Sequence, residues 1–218
     1  MTVIMSGAAL ALGVRLARSR HRRSLHPDGR SFTGELEIWG VSGTGSELLG
    51  RPAVHPVTVR ISKGAGTRRS RPDVLGLAVR VGETDLLLST TGKSRLTRHV
   101  PMPRRAFDSR YGTITGYRTG AGHKVYLAAG ADPDAVPLGD SLESVAAAAA
   151  TGRAALLLFA GPHAFGRVRF GAALPAATDA ALAFDPVRNS TADLHPTGAV
   201  HGVRAYAYRA SHRWRGVR

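Results

Sequence analysis

Alternation with a period of two recurs along most of this chain, and it restricts the fold more than any other feature. Residues 32–39 alternate Phe, Leu and Ile with polar residues, and Val57-Thr-Val-Arg-Ile61 does the same. Side chains in a strand point to opposite faces in turn, so this pattern marks strands with one apolar face. Leu75–Val81 and residues 85–89 predict a hairpin around Gly82-Glu83, and residues 113–117 and 124–129 a second one around Gly120-Ala-Gly122. Residues 154–160 and 166–174 predict two further strands flanking Gly161-Pro162, and residues 181–184 another.

Helical signals are fewer. Asp140 or Ser141 can cap an Ala-rich run over Leu142–Ala150 that Gly152 stops. Residues 3–19 predict an entry helix, and residues 197–213 a closing one weakened at its start by Gly198 and Gly202. Residues 98–110 have no period and predict a basic surface loop; residues 132–137 read as a linker-like turn. Mostly antiparallel strands with a few helices imply an α+β chain built on an antiparallel barrel or a curled sheet. The 218 residues fit a single domain, 1–218, with residues 1–22 as a helical arm.

The chain carries 30 Lys+Arg against 15 Asp+Glu, for a net charge of +15. Most of the cations are Arg in a chain rich in Ala and Gly. This reads first as compositional bias on solvated faces, then as a match to a small anionic ligand, and last as a nucleic-acid footprint. No basic segment is interleaved with aromatic residues, so nucleic acid is not expected. The absence of cysteine excludes disulfides, thiolate ligands and cysteine nucleophiles. The apolar part of residues 1–14 is too short to span a bilayer, and its basic run follows it, the reverse of a secretory signal. A cytoplasmic protein without a membrane span is expected.

Several motifs fail on one residue each. Gly92-Lys93-Ser94 lacks the earlier glycine of a phosphate loop, because Leu87 stands there. Gly43-Thr-Gly45 has no third glycine, and Gly40-Val-Ser42-Gly-Thr44 has no final glycine for a nucleophile elbow. His195 and His201 have no common zinc spacing.

Four separated segments hold together. They are Arg23-Ser-Leu-His26-Pro-Asp-Gly29 followed by Phe32-Thr-Gly34; Val59-Arg60-Ile61-Ser62; Asp73-Val-Leu-Gly76-Leu-Ala78-Val-Arg80 with Asp85-Leu86; and Arg204-Ala-Tyr-Ala-Tyr208 with Arg215. In this order they resemble the haem-dependent catalase superfamily over roughly residues 20–90 and 180–216. The resemblance implies a catalase-like barrel with flanking helices and a C-terminal helix that carries Tyr208. It implies haem b, with Tyr208 as axial ligand and metal-binding residue.

A phenol ordinarily titrates near ~10, so a tyrosinate needs a nearby cation. The resemblance assigns that part to Arg204, one helical turn before Tyr208. It makes His26 the distal acid–base group that moves a proton between the peroxide oxygens. Ser62 matches the serine that orients the histidine ring. Arg23, Arg60 and Arg215 match arginines that hold the haem propionates, for which a guanidinium is suited.

There are departures. Ser89 stands where the family has a distal Asn, and a hydroxyl reaches less far than an amide. Leu77 and Ile61 replace family Phe positions, and the distal Phe has no counterpart. The family's wrapping segment and C-terminal helical domain are expected to be missing. The resemblance therefore implies a peroxidase or weak catalase acting on hydrogen peroxide or organic hydroperoxides. Its partners would be peroxide and a small organic reductant, with a homo-oligomer left open. The alternative is a non-catalytic protein of the same fold that has lost haem and binds another anionic or apolar ligand.

Overall fold

The computed structural model describes residues 28–67 and 70–197. Arg23, His26, Arg204, Tyr208 and Arg215 lie outside the described residues, as do the expected entry helix and all of the expected closing helix but Thr197.

Eight antiparallel strands close into a barrel in the order β1-β10-β9-β8-β5-β4-β3-β2. They are β1 (Asp28–Ile38), β2 (Ala53–Lys63), β3 (Leu75–Val81), β4 (Thr84–Thr90), β5 (Tyr111–Gly112), β8 (Leu127–Ala131), β9 (Ala155–Ala160) and β10 (His163–Ala173). A three-stranded sheet is made by β11 (Leu194–Pro196), β6 (Tyr117–Thr119) and β7 (Lys124–Val125). The helices are α1 (Glu47–Gly50), α2 (Leu142–Ala150) and α3 (Ala176–Ala181), with a 3₁₀ turn at Thr97–His99.

Period-two alternation fills the barrel. Phe32, Leu36, Val59, Ile61, Leu77, Val79, Leu86, Leu88, Leu156, Val168 and Phe170 point inward and are buried. Each such large side chain contributes about 2 kcal/mol when removed from water. Phe32 and Phe170 meet edge to face, with centroids 5.7 Å apart. Gly82 turns the β3–β4 hairpin with φ +52°, in the left-handed region that a glycine enters without strain. That tight turn sets Val81 opposite Thr84 and carries the register to Gly76 opposite Ser89.

The expected helix forms over Leu142–Ala150. Ser141 caps it, and Ser144 returns the bond in a reciprocal capping box. Val145, Ala148 and Ala149 are its buried face.

Four expectations are corrected. Residues 181–184 are not a strand: α3 ends at Ala181, and the chain then runs over the barrel, where Arg80 bonds the Ala183 carbonyl and stacks on Phe184. Residues 113–117 form no strand except at Tyr117, so the second hairpin joins the short β6 and β7. Residues 124–129 break at Tyr126, leaving β7 in the small sheet and β8 in the barrel. Residues 98–110 are only partly surface: backbone bridges Asp73↔Arg104 and Thr91↔Pro101 pin them, and Phe107 is fully buried. The turn at 132–137 is tied down as well, since Arg167 pairs with both Asp132 and Asp134.

Candidate functional site on the outer wall of the barrel

Strand pairing places two of the three expected catalytic residues in one row. Gly29 lies opposite Ser62, Ser62 opposite Gly76, and Gly76 opposite Ser89. The row continues through Gly112 to Ala128. Paired residues in antiparallel strands project to the same face. The neighbouring row of Ile61, Leu77 and Leu88 faces the apolar core, so this row lies on the outer wall. It holds only Gly, Ser and Ala. From Gly29 to Ser89 it crosses three strand gaps, about 14 Å at ~4.8 Å each. The row itself therefore carries no bulky side chain, with hydroxyl groups at its two serine positions. Ser62 and Ser89 are both buried although they face away from the core.

Arg60 stands beside this row. It is two residues before Ser62 on the same strand, so it shares the outer face, and it is paired with Ser31 and Ala78. Its guanidinium folds over Gly29: a Cβ there would lie 2.6 Å from Arg60 Nη2, 2.7 Å from the Ile61 carbonyl oxygen and 2.7 Å from Ser62 Cβ. Any larger residue at 29 would push the two side chains and the β2 backbone away. Gly29 thus serves as the cradle that lets Arg60 and Ser62 sit together, three residues after His26.

The other branch of the Arg60 fork donates to Asp179 on α3, and Ser31 Oγ donates to the same carboxylate oxygen. Only 6% of the Arg60 side chain is exposed. A carboxylate from the chain itself therefore meets an arginine to which the family resemblance gives a propionate as partner. Asp179 was not a candidate in the sequence. An acid in an Ala-rich stretch 119 residues from Arg60 carries no local signal of such a contact.

Next to the site lies a fully buried carboxylate. Asp85 accepts from Arg80 Nε and Nη2, both at 2.7 Å, from Asp185 N at 2.7 Å and from Asn189 Nδ2 at 2.8 Å. The bond to Asp85 raises the Arg80 pKa against the opposing effect of burial, and the charge of Asp85 adds to the rise. This group clamps residues 183–189 onto the outer face of β3 and β4. Asp73 likewise organises the backbone around it, gathering Ala65 N, Thr67 N, the Thr67 hydroxyl and Val74 N on one carboxylate.

Among the described residues, no group of three His, Cys, Asp or Glu could hold a metal ion, and no helix is long and apolar enough to cross a membrane. The expected iron ligand is a tyrosine outside those residues, so the first observation leaves it untouched. What the described residues can test is whether the wall suits a flat, anionic macrocycle. The small-residue row suits its face, and Arg60 suits its acidic edge in charge, with one branch already committed to Asp179.

No family model and no curated protein matches this sequence. Solved structures do match. A fungal catalase aligns with a TM-score of 0.66 at 13% identity, over 94% of this chain and 62% of its own. A bacterial catalase aligns at 0.65 and 13%, over 93% and 59%. Catalase A from Saccharomyces cerevisiae aligns at 0.59 and 12%, over 93% and 63%. The chain spans about three fifths of the length of these proteins. A closed eight-stranded antiparallel barrel whose path follows theirs through almost the whole sequence identifies the architecture: this chain has the catalase-like fold.

Proposed function

We propose that this catalase-fold protein binds haem b on the small-residue wall and uses peroxide, as a peroxidase or weak catalase acting on hydrogen peroxide or organic hydroperoxides. The observation that supports this reading is the single row that brings Ser62 and Ser89 together beside Arg60. These residues come from two strands, with Gly29 and Gly76 from two more, and from segments of the sequence resemblance that are far apart in the chain.

In this reading Tyr208 holds the iron, and Arg204 keeps the phenol oxygen anionic. Arg23, Arg60 and Arg215 hold the propionates, with Asp179 sharing Arg60. Bound haem would supply the redox chemistry that no side chain here can. His26 takes the proton from one peroxide oxygen and returns it to the other, so that water rather than hydroxide leaves. Ser62 fixes the ring of His26 in one tautomer, and Ser89 offers a hydroxyl to the peroxide. With it go a small organic reductant and a cytoplasmic location.

Asp179 also gives substance to a second reading. A carboxylate already on Arg60 suits a protein that has lost haem and uses the wall for another anionic or apolar ligand. The absorption spectrum of protein prepared with added haem separates the two. A high-spin ferric tyrosinate spectrum that disappears in Tyr208→Phe is expected; protein that stays colourless overturns the haem reading. His26→Ala is expected to keep haem and lose most peroxide turnover. Unchanged turnover in that variant contradicts the role given to His26.

A further inference from the structure

Among the described residues, the segment between β4 and β8 is the most one-sided in its charge. Residues 91–126 carry eight Lys and Arg and one carboxylate, Asp108. Lys93, Arg95, Arg105 and Arg110 are exposed, and among the described residues no ion pair involves them. Two of the four exposed large hydrophobics among the described residues lie here as well. Leu96 is 85% exposed and Val100 50%, with exposed Pro101 next to Val100.

This loop has a defined conformation. Ser94 and Thr97 exchange side-chain and backbone bonds: Ser94 N donates to Thr97 Oγ1 at 3.1 Å, and Thr97 N to Ser94 Oγ at 3.0 Å. Gly92 N bonds Thr97 O, Met102 N bonds Thr90 O, and Thr90 Oγ1 bonds Met102 O. His99 Nδ1 reaches the Ile114 carbonyl at 2.8 Å. Leu96 therefore sits at the tip of a braced turn, held in water between Lys93, Arg95 and Arg98. The cationic face continues onto β7, because Arg98 and Lys124 both lie over the Tyr126 ring, at 4.8 and 5.4 Å from its centroid.

Exposed aliphatic side chains at the tip of a loop, ringed by cations that no carboxylate among the described residues neutralises, match the chemistry of one surface: the apolar–polar boundary of an anionic bilayer. The cations meet lipid phosphates and carboxylates, while the aliphatic tip enters the acyl region below them. A nucleic acid offers no such apolar layer, and the tip presents no aromatic ring to a base. We propose that residues 93–105, with Lys124, dock this protein peripherally on anionic lipid membranes, with Leu96 and Val100 inserted. The docking uses strand connections and is independent of haem.

Co-sedimentation with vesicles of phosphatidylcholine alone, and of phosphatidylcholine mixed with phosphatidylserine, tests this. The full chain is expected to pellet with the mixed vesicles only, and less so as salt rises. Leu96→Asp is expected to weaken that partition about tenfold, since an inserted leucine is lost. Leu96 is almost fully exposed, so the fold is untouched, which circular dichroism checks. In Leu96→Trp, lipids brominated on the acyl chain are expected to quench fluorescence beyond what the parent chain shows. Three results overturn the proposal: no pelleting with anionic vesicles, equal partition of Leu96→Asp through cations elsewhere in the chain, or no added quenching. Binding to a DNA fragment without binding to vesicles also overturns it and assigns the face to nucleic acid.

Discussion

Replacing Asp85 by alanine removes four hydrogen bonds at once, two of them from the Arg80 guanidinium. The carboxylate is wholly buried, while 26% of the Arg80 side chain reaches solvent. That asymmetry sets the magnitudes. Breaking a buried pair costs about 3–5 kcal/mol when the group left behind cannot reach water. After Asp85→Ala, Arg80 keeps the Ala183 carbonyl and the Phe184 ring and can hydrate its exposed edge. The expected loss is therefore at the lower end, about 3 kcal/mol. After Arg80→Met the anion stays buried with two neutral donors, so the expected loss is near the upper end, about 4–5 kcal/mol. The double variant Arg80→Met, Asp85→Leu should lose less than Arg80→Met alone, because no unpaired charge remains. Urea unfolding at neutral pH measures all three. Limited proteolysis should show earlier cleavage within residues 183–189 in both single variants, since their clamp is gone. A loss under about 1 kcal/mol for Arg80→Met, or a double variant worse than either single one, refutes the reasoning.

Two further outcomes follow from the same structure. Burial acts most strongly on Asp73 and raises its pKa, yet the bonds from Thr67, Ala65 and Val74 together hold it below its ordinary value. A depressed carboxylate contributes stability above its unfolded pKa and loses it as pH falls through the folded pKa. Asp73→Asn should therefore cost about 2 kcal/mol near neutrality, a difference that shrinks below about pH 4 in urea titrations; a constant difference across that range would contradict the assignment. Gly29→Ala should cost about 2 kcal/mol by forcing Arg60 and Ser62 apart, read as a lower urea midpoint, and an unchanged midpoint would mean the cradle gives freely.

What could be read from the sequence was what local chemistry decides. A two-residue turn with glycine at its first position fixes register, so the pairing of Gly76 with Ser89 follows from Gly82-Glu83 alone. Arg60 and Ser62 share a face because they are two residues apart on a strand. The cap at Ser141 and the helix over Leu142–Ala150 were legible because capping acts across a single turn. The pairing of Ser62 with Gly76 was not, because eleven residues of sequence, 64–74, separate their strands, too many for a tight turn to set the register. Residues 181–184 misled because their short apolar run fits a strand; Arg80, about a hundred residues earlier, instead fixes them by a carbonyl and an aromatic ring. Residues 98–110 looked solvated because their charges mask Phe107, whose amide bonds the Gly139 carbonyl. Asp179 meets Arg60 through closure of the whole barrel, which no segment encodes by itself.

The barrel's staves are unequal, and that has a mechanical consequence. β1 and β2 are zipped over eleven residues each, whereas β5 joins β4 to β8 with Tyr111 and Gly112 alone. Tyr111 acts as the rivet of this seam: it is fully buried, and its hydroxyl hooks the Phe107 carbonyl at 2.8 Å. Should the rivet slip, the cylinder would unroll from that side, baring two ladder edges to any passing chain.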